Sequence, residues 1–197
     1  MKHTHYDVRF MFIDQYSGEG IELFEGEGVA RIVGEDTSCH SVKLFDLPNV
    51  GDIMKVPRSN VLWIVSCVIR RPEVALDAFP STATILLCDY NLYVDNDFPD
   101  LYIGFLFGSD PLIGVIGPDR IFKTLRSTRL SGFGWGYRGG GPQHLSESIL
   151  LHHLGEMPDK DLVLNFERSF IATLQNQKPF VIKARQIAEW INSRKQD

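Results

Sequence analysis

Gly132-Phe133-Gly134-Trp135-Gly136-Tyr137-Arg138-Gly139-Gly140-Gly141-Pro142 is the stretch at which a chain of strands turns into a chain of helices. Upstream, apolar residues run together or alternate in short bursts between Gly and Pro punctuation, as strands do. Downstream they recur every three or four residues, as on the buried face of a helix. Pro142 suits the first position of a helix, where its missing N–H costs nothing, and Gly155 suits the left-handed cap that ends one. A first helix is therefore expected from Pro142 to Gly155, with Gly141 as its N-cap. A second runs from Asp159 to Gln175 through Val163, Phe166, Phe170 and Leu174, and a third from Ala184 to Ser193, burying Ile187, Trp190 and Ile191. Phe180 to Lys183 is a short strand between them.

Working upstream, Leu101 to Phe107 and Leu112 to Ile116 flank Gly108-Ser109-Asp110-Pro111, a strong turn signal, and read as a hairpin. The polar, acidic stretch Asn91 to Asp100 reads as a connector. It lacks the sixth-position glycine and twelfth-position glutamate of an EF-hand calcium loop. Before it lie His5 to Asp14, Ile21 to Val33, Ser41 to Phe45, Asp52 to Val56, Leu62 to Ile69 and Ser81 to Tyr90, all strand-like. Leu62 to Ile69 is apolar on both faces and is expected as a buried central strand. The fold class that follows is α+β. A β-rich small antiparallel barrel or sandwich is expected over 1–95, and a β-hairpin with three helices over 101–197.

At 197 residues the chain can bury about 70% of its unfolded surface without metal or disulfide staples. Its three cysteines, Cys39, Cys67 and Cys88, are too few and too far apart for a disulfide framework and suit a reducing cytosol. No apolar run approaches a bilayer span, and Met1 to Asp7 lacks the apolar core of a signal peptide. A cytoplasmic protein with no membrane partner is expected. The net charge of −5 is unevenly spread. Residues 1–100 hold 8 Lys and Arg against 16 Asp and Glu, a balance of −8, while residues 101–197 hold 12 against 9, a balance of +3. An acidic half repels phosphate backbones, so nucleic acid is disfavoured as a partner.

The glycine-rich stretch carries the functional expectation. Six of its eleven residues are glycine, each costing backbone entropy on ordering. Close approach of the backbone to a ligand would repay that cost. Gly139, Gly140 and Gly141 lead into a helix N-terminus, which favours an anion. Arg138 adds a planar cation suited to carboxylate or phosphate, and Trp135 and Tyr137 offer faces on which a base could stack. Gln143 and His144 are expected to hold free N–H groups in the first turn. Gly134-x-Gly136-x-x-Gly139 matches the dinucleotide pattern formally, but no βαβ unit surrounds it. No Lys-Ser or Lys-Thr follows, so it is no phosphate-binding Walker loop either. The competing reading makes Trp135 and Tyr137 ordinary core residues packing a hairpin against a helix.

The same stretch resembles an uncharacterised family, a domain of unknown function of bacterial, plasmid and phage proteins. Gly132-Phe133, Trp135-Gly136-Tyr137, Gly139 and Gly141-Pro142 carry the resemblance. It runs on through Leu145, Ile149-Leu150, Phe166, Phe170, Ile171, Ile187 and Trp190, over about residues 102 to 191. Such proteins often show His-Ser shortly before Gly-Phe, where this chain has Thr128-Arg129. The resemblance implies a module reused by mobile elements and no particular chemistry.

Other residues add little by pattern alone. Arg120, Lys123, Arg126 and Arg129 form either a basic rim or scattered solvated charges. His144 with Glu147 could act as acid and orienter, but no nucleophile or metal set accompanies them in the sequence. His152 and His153 point about 100° apart on a helix and cannot both ligate one ion unaided. His3 and His5 lack a third ligand. No catalytic set, metal site or cofactor is expected. The leading expectation is a non-catalytic binding protein holding a phosphate-bearing ligand, such as a nucleotide, at Trp135, Tyr137, Arg138, Gly139, Gly140, Gly141, Gln143 and His144. The alternative is a phage- or plasmid-encoded interaction module that inhibits a host protein, and the third reading is an enzyme acting on a nucleotide.

Overall fold

A computed structural model of the chain describes residues 6–16, 20–25, 42–44, 49–55, 62–70, 83–89, 97, 99–107, 109–127 and 132–194. The chain divides into two compact units, one of residues 1–94 with 118–122, the other of residues 95–117 with 123–197.

Among the described residues, the first unit holds a sheet of six strands: β1 (Tyr6–Tyr16), β2 (Gly20–Glu25), β3 (Val42–Leu44), β4 (Ile53–Lys55), β5 (Leu62–Arg70) and β6 (Ala83–Asp89). Their order is β2-β1-β6-β5-β4, with β3 sharing the β2 edge of β1. The expected antiparallel barrel or sandwich is corrected here. β1 and β6 pair in parallel, from Val8 opposite Ala83 to Ile13 opposite Cys88, and the path of strands does not close. Apolar strands carry no mark of direction, because a side chain alternates faces the same way in parallel and antiparallel pairs. The interior placing of β5 agrees with its apolar run: Trp63, Ile64 and Val65 are buried. Ser66 forms a bulge against β6, where the register slips between Val65 and Cys67. The Ile21 to Val33 strand ends at Glu25 as described, its remainder lying outside the described residues, as do most of Asn91 to Asp100, His3, His5, Cys39 and Arg129.

The second unit joins a four-stranded sheet to three helices. The strands are β7 (Leu101–Phe107), β8 (Asp110–Ile116), β9 (Phe122–Thr124) and β10 (Phe180–Lys183), in the order β10-β7-β8-β9. The helices are α1 (Gly140–Leu154), α2 (Lys160–Ser169) and α3 (Ala184–Arg194). The β7–β8 hairpin, the β10 strand and the third helix lie where the sequence places them. Tyr102, Ile113, Leu145, Ile149, Phe166 and Ile187 belong to the shared core. Burying them supplies about 1.5–3 kcal/mol each before conformational entropy is subtracted. Phe166 stacks on Phe170 at 4.8 Å and Trp190 meets both rings edge-on. Gly155 ends α1 at φ 74, and Asp159 opens α2 by accepting from the Leu162 N–H at 2.7 Å.

Two helix ends differ from expectation. The α2 helix stops at Ser169 and is followed by a 3-10 turn, Ile171–Thr173, rather than running on to Gln175. The Ile171 carbonyl accepts instead from the Gly136 N–H at 2.9 Å, so a loop distant in sequence claims an acceptor the helix would have used. The α1 helix begins earlier than expected: Gly139 is its N-cap and Pro142 its third residue. Pro142 still sits in the first turn, where an N–H would find no helical acceptor.

Candidate functional site

Two glycines make room for one ring, and a third lies in contact with it. A Cβ on Gly134 would collide with the Tyr137 hydroxyl, one on Gly141 would lie 2.9 Å from it, and one on Gly139 would touch the ring at 3.6 Å. Tyr137 thus lies along glycine backbone, yet it remains 48% exposed. Gly136 has φ 80, and a Cβ there would run into the Asn176 backbone, so this position needs glycine for both conformation and space. Gly139 holds φ 153 and ψ −168, a region essentially confined to glycine.

Trp135 faces the other way. It is 2% exposed, donates its Nε1 hydrogen to the Lys178 carbonyl at 2.7 Å and packs edge-on to Phe180 at 5.1 Å. The expectation that Trp135 offers a stacking face beside Tyr137 is corrected: an indole so enclosed is core, because its large apolar area gains most from burial. The placement of free donors is corrected as well. The Gln143 N–H donates to the Gly139 carbonyl at 3.0 Å, so it is spent inside α1. The His144 side chain is fully buried. Gly140 and Gly141 occupy the turn's opening positions, no side chain caps the helix, and Arg138 is exposed just before it.

Beside Tyr137 lies a cleft of about 130 Å³, bordered by Leu106, Ser109, Pro111, Phe133, Gly134, Trp135, Tyr137, Asn176 and Gln177. No charged residue borders it. The bordering side chains carry the Ser109 and Tyr137 hydroxyls and the Asn176 and Gln177 carboxamides, each able to donate and to accept. Gln177 has φ 59, a left-handed backbone that is costly for a residue with a Cβ. Of the expected site residues, the fold brings Trp135 and Tyr137 to this cleft. Arg138, Gly139, Gly140, Gly141, Gln143 and His144 are not among those bordering it. Asn176 and Gln177 had no signal in the sequence, since a polar pair between two elements reads as an ordinary loop.

The remaining candidates fall into separate places. Lys123 is on β9, Arg126 is exposed after it, and Arg120 sits in the preceding turn with φ 58, so these residues form no helical stripe. His144 Nε2 lies 3.2 Å from the Ser127 hydroxyl, and the Phe133 ring packs on the imidazole at 4.8 Å. Near the other end of α1, His152 Nδ1 is 3.1 Å from the Tyr102 hydroxyl and 3.9 Å from Asp100 Oδ2. Burial, and then the Asp100 charge, push the Tyr102 phenol well above its usual range. Burial lowers His153, with Asp100 opposing that shift and His152 adding to it. Among the described residues no group of three or more His, Cys, Asp or Glu is arranged to hold a metal ion, and no helix is long and apolar enough to cross a membrane.

Residues 117–193 match the model of a family of unknown function, DUF6166. The match takes in the glycine-rich stretch and all three helices of the second unit, and it covers less than half of the chain. No curated protein and no solved structure matches the chain.

Proposed function

We propose that the chain is a binding protein whose second unit takes a short, uncharged segment of a partner protein in the cleft beside Tyr137. The observation that supports this most is the seating of Tyr137. Gly134 and Gly141 leave room for a ring that is half exposed, and a glycine costs about 0.5–1 kcal/mol of backbone entropy relative to alanine in regular structure. An exposed ring returns little stability for that cost, whereas a rigid aromatic at a cleft rim is the kind of group that carries binding energy. The cleft is small beside the roughly 300–1,000 Å³ of small-molecule sites, which suits a side chain or two of a larger partner. Asn176, Gln177 and Ser109 supply hydrogen bonds for peptide groups without demanding charge.

The start of α1 favours the anion reading instead: Gly140 and Gly141 open an uncapped helix beside exposed Arg138. The two readings separate by amide shift mapping on the full chain. Uncharged peptide amides are expected to shift Gly134, Tyr137, Asn176 and Gln177, with Tyr137→Ala abolishing the response. Shifts centred on Arg138, Gly140 and Gly141 with phosphate or nucleotides, and none with peptides, would replace the peptide reading by the anion one.

A further inference from the structure

Seventeen positions apart in sequence, Ser127 and His144 meet with Oγ 3.2 Å from Nε2. Ser127 is exposed, whereas His144 is fully buried behind it. Phe133 packs on the imidazole with ring centroids 4.8 Å apart, which limits the ring's freedom to turn away. Glu147, 8% exposed, follows His144 by one turn of α1, the spacing at which helical side chains become neighbours. A hydroxyl on an exposed residue with a buried imidazole against it is the pairing by which a serine is activated.

We propose that Ser127 and His144 form a nucleophile–base pair that takes an acyl group from small activated esters. His144 Nε2 accepts the Ser127 proton as Oγ bonds to the ester carbonyl carbon, whose π electrons move onto oxygen. As the carbonyl re-forms, the C–O bond to the leaving alcohol breaks, and that alcohol takes the proton from His144. Water then attacks the acyl-serine with His144 again holding the proton, and the carboxylic acid and free Ser127 are released. The net change is ester plus water to acid plus alcohol. The proposal goes beyond the binding reading and does not rest on it. Phe133 borders the cleft and touches His144, but neither Ser127 nor His144 borders the cleft.

The test treats the full chain with a fluorophosphonate probe and locates the adduct by peptide mass spectrometry. An adduct at Ser127 is expected, absent in Ser127→Ala, forming faster as pH rises, and forming about a hundredfold more slowly and without that pH dependence in His144→Gln. Because His144 is buried, His144→Gln could fail to fold. Ser127→Cys supplies the second measurement: its thiol should react with iodoacetamide at about pH 6 at least about tenfold faster than glutathione does. No adduct at Ser127, an unchanged rate in folded His144→Gln, or an ordinary alkylation rate for Ser127→Cys would overturn the pair.

Discussion

The two ends of α1 each join an imidazole to a hydroxyl, at 3.2 Å for His144 with Ser127 and 3.1 Å for His152 with Tyr102. The settings are inverted. At the first end the imidazole is buried and the hydroxyl exposed. At the second the hydroxyl belongs to a fully buried tyrosine, and His152 is 42% exposed. A buried phenol needs a partner to offset its desolvation, and the Tyr102–His152 contact supplies it. The buried His144 imidazole needs a partner in the same way, and what differs is that its partner is a hydroxyl-bearing residue on the surface, as the proposed reactivity requires.

That contrast can be broken by substitution. The largest effect is expected inside the glycine-rich stretch, where the same inversion separates two aromatics. Trp135→Ala should cost about 3–5 kcal/mol in urea unfolding, and Tyr137→Ala less than about 1 kcal/mol. Equal costs would mean that Tyr137 is a core residue after all. Next comes the histidine pair. His144→Ala should destabilise by about 2–3 kcal/mol through the cavity beneath Phe133, while His152→Ala should cost about 1–2 kcal/mol by taking the partner from the buried Tyr102 hydroxyl. No measurable cost for His152→Ala would mean that the phenol does not depend on that contact.

Smaller effects sharpen the picture. Tyr102→Phe should cost about 1 kcal/mol, the net worth of one hydrogen bond, whereas Ser127→Ala should change stability by less than about 0.5 kcal/mol. Tyr102 also sets an alkaline limit. Its phenol is raised above the ordinary value of 10.0, so the folded state resists its ionisation and stability falls as pH climbs past that value. Melting curves of Tyr102→Phe should lack that portion of the fall. The smallest effect lies on the acid side. His153 is lowered from 6.5, so below that pH the unfolded chain binds a proton the folded one refuses, and stability declines. His153→Gln should flatten the decline below pH 6.5, an effect muted by the partly exposed ring.

Local signals carried the second unit well. The left-handed cap at Gly155, the Asp159 start of α2 and the reversal between β7 and β8 are each decided within a few residues and lie where the sequence puts them, although β8 takes in Asp110 and Pro111, which the sequence reads as turn. The start of α1 was misread by two residues because Pro142 is equally at ease anywhere in a first turn. The α2 end was misread because the acceptor at Ile171 is taken by Gly136, a partner no local window contains.

By itself, then, the amino-acid sequence determined the α+β class, the β7–β8 hairpin, β10 and the existence of the three helices of the second unit, but not β9 or two of the helix ends. These follow from periodicity and from backbone freedom, which are local properties. Only the tertiary structure decided that β1 and β6 run parallel, that Trp135 is core while Tyr137 is rim, and that Ser127 stands against His144. Such facts depend on which distant residues share a surface, and a residue's composition and spacing hold no record of what packs against it.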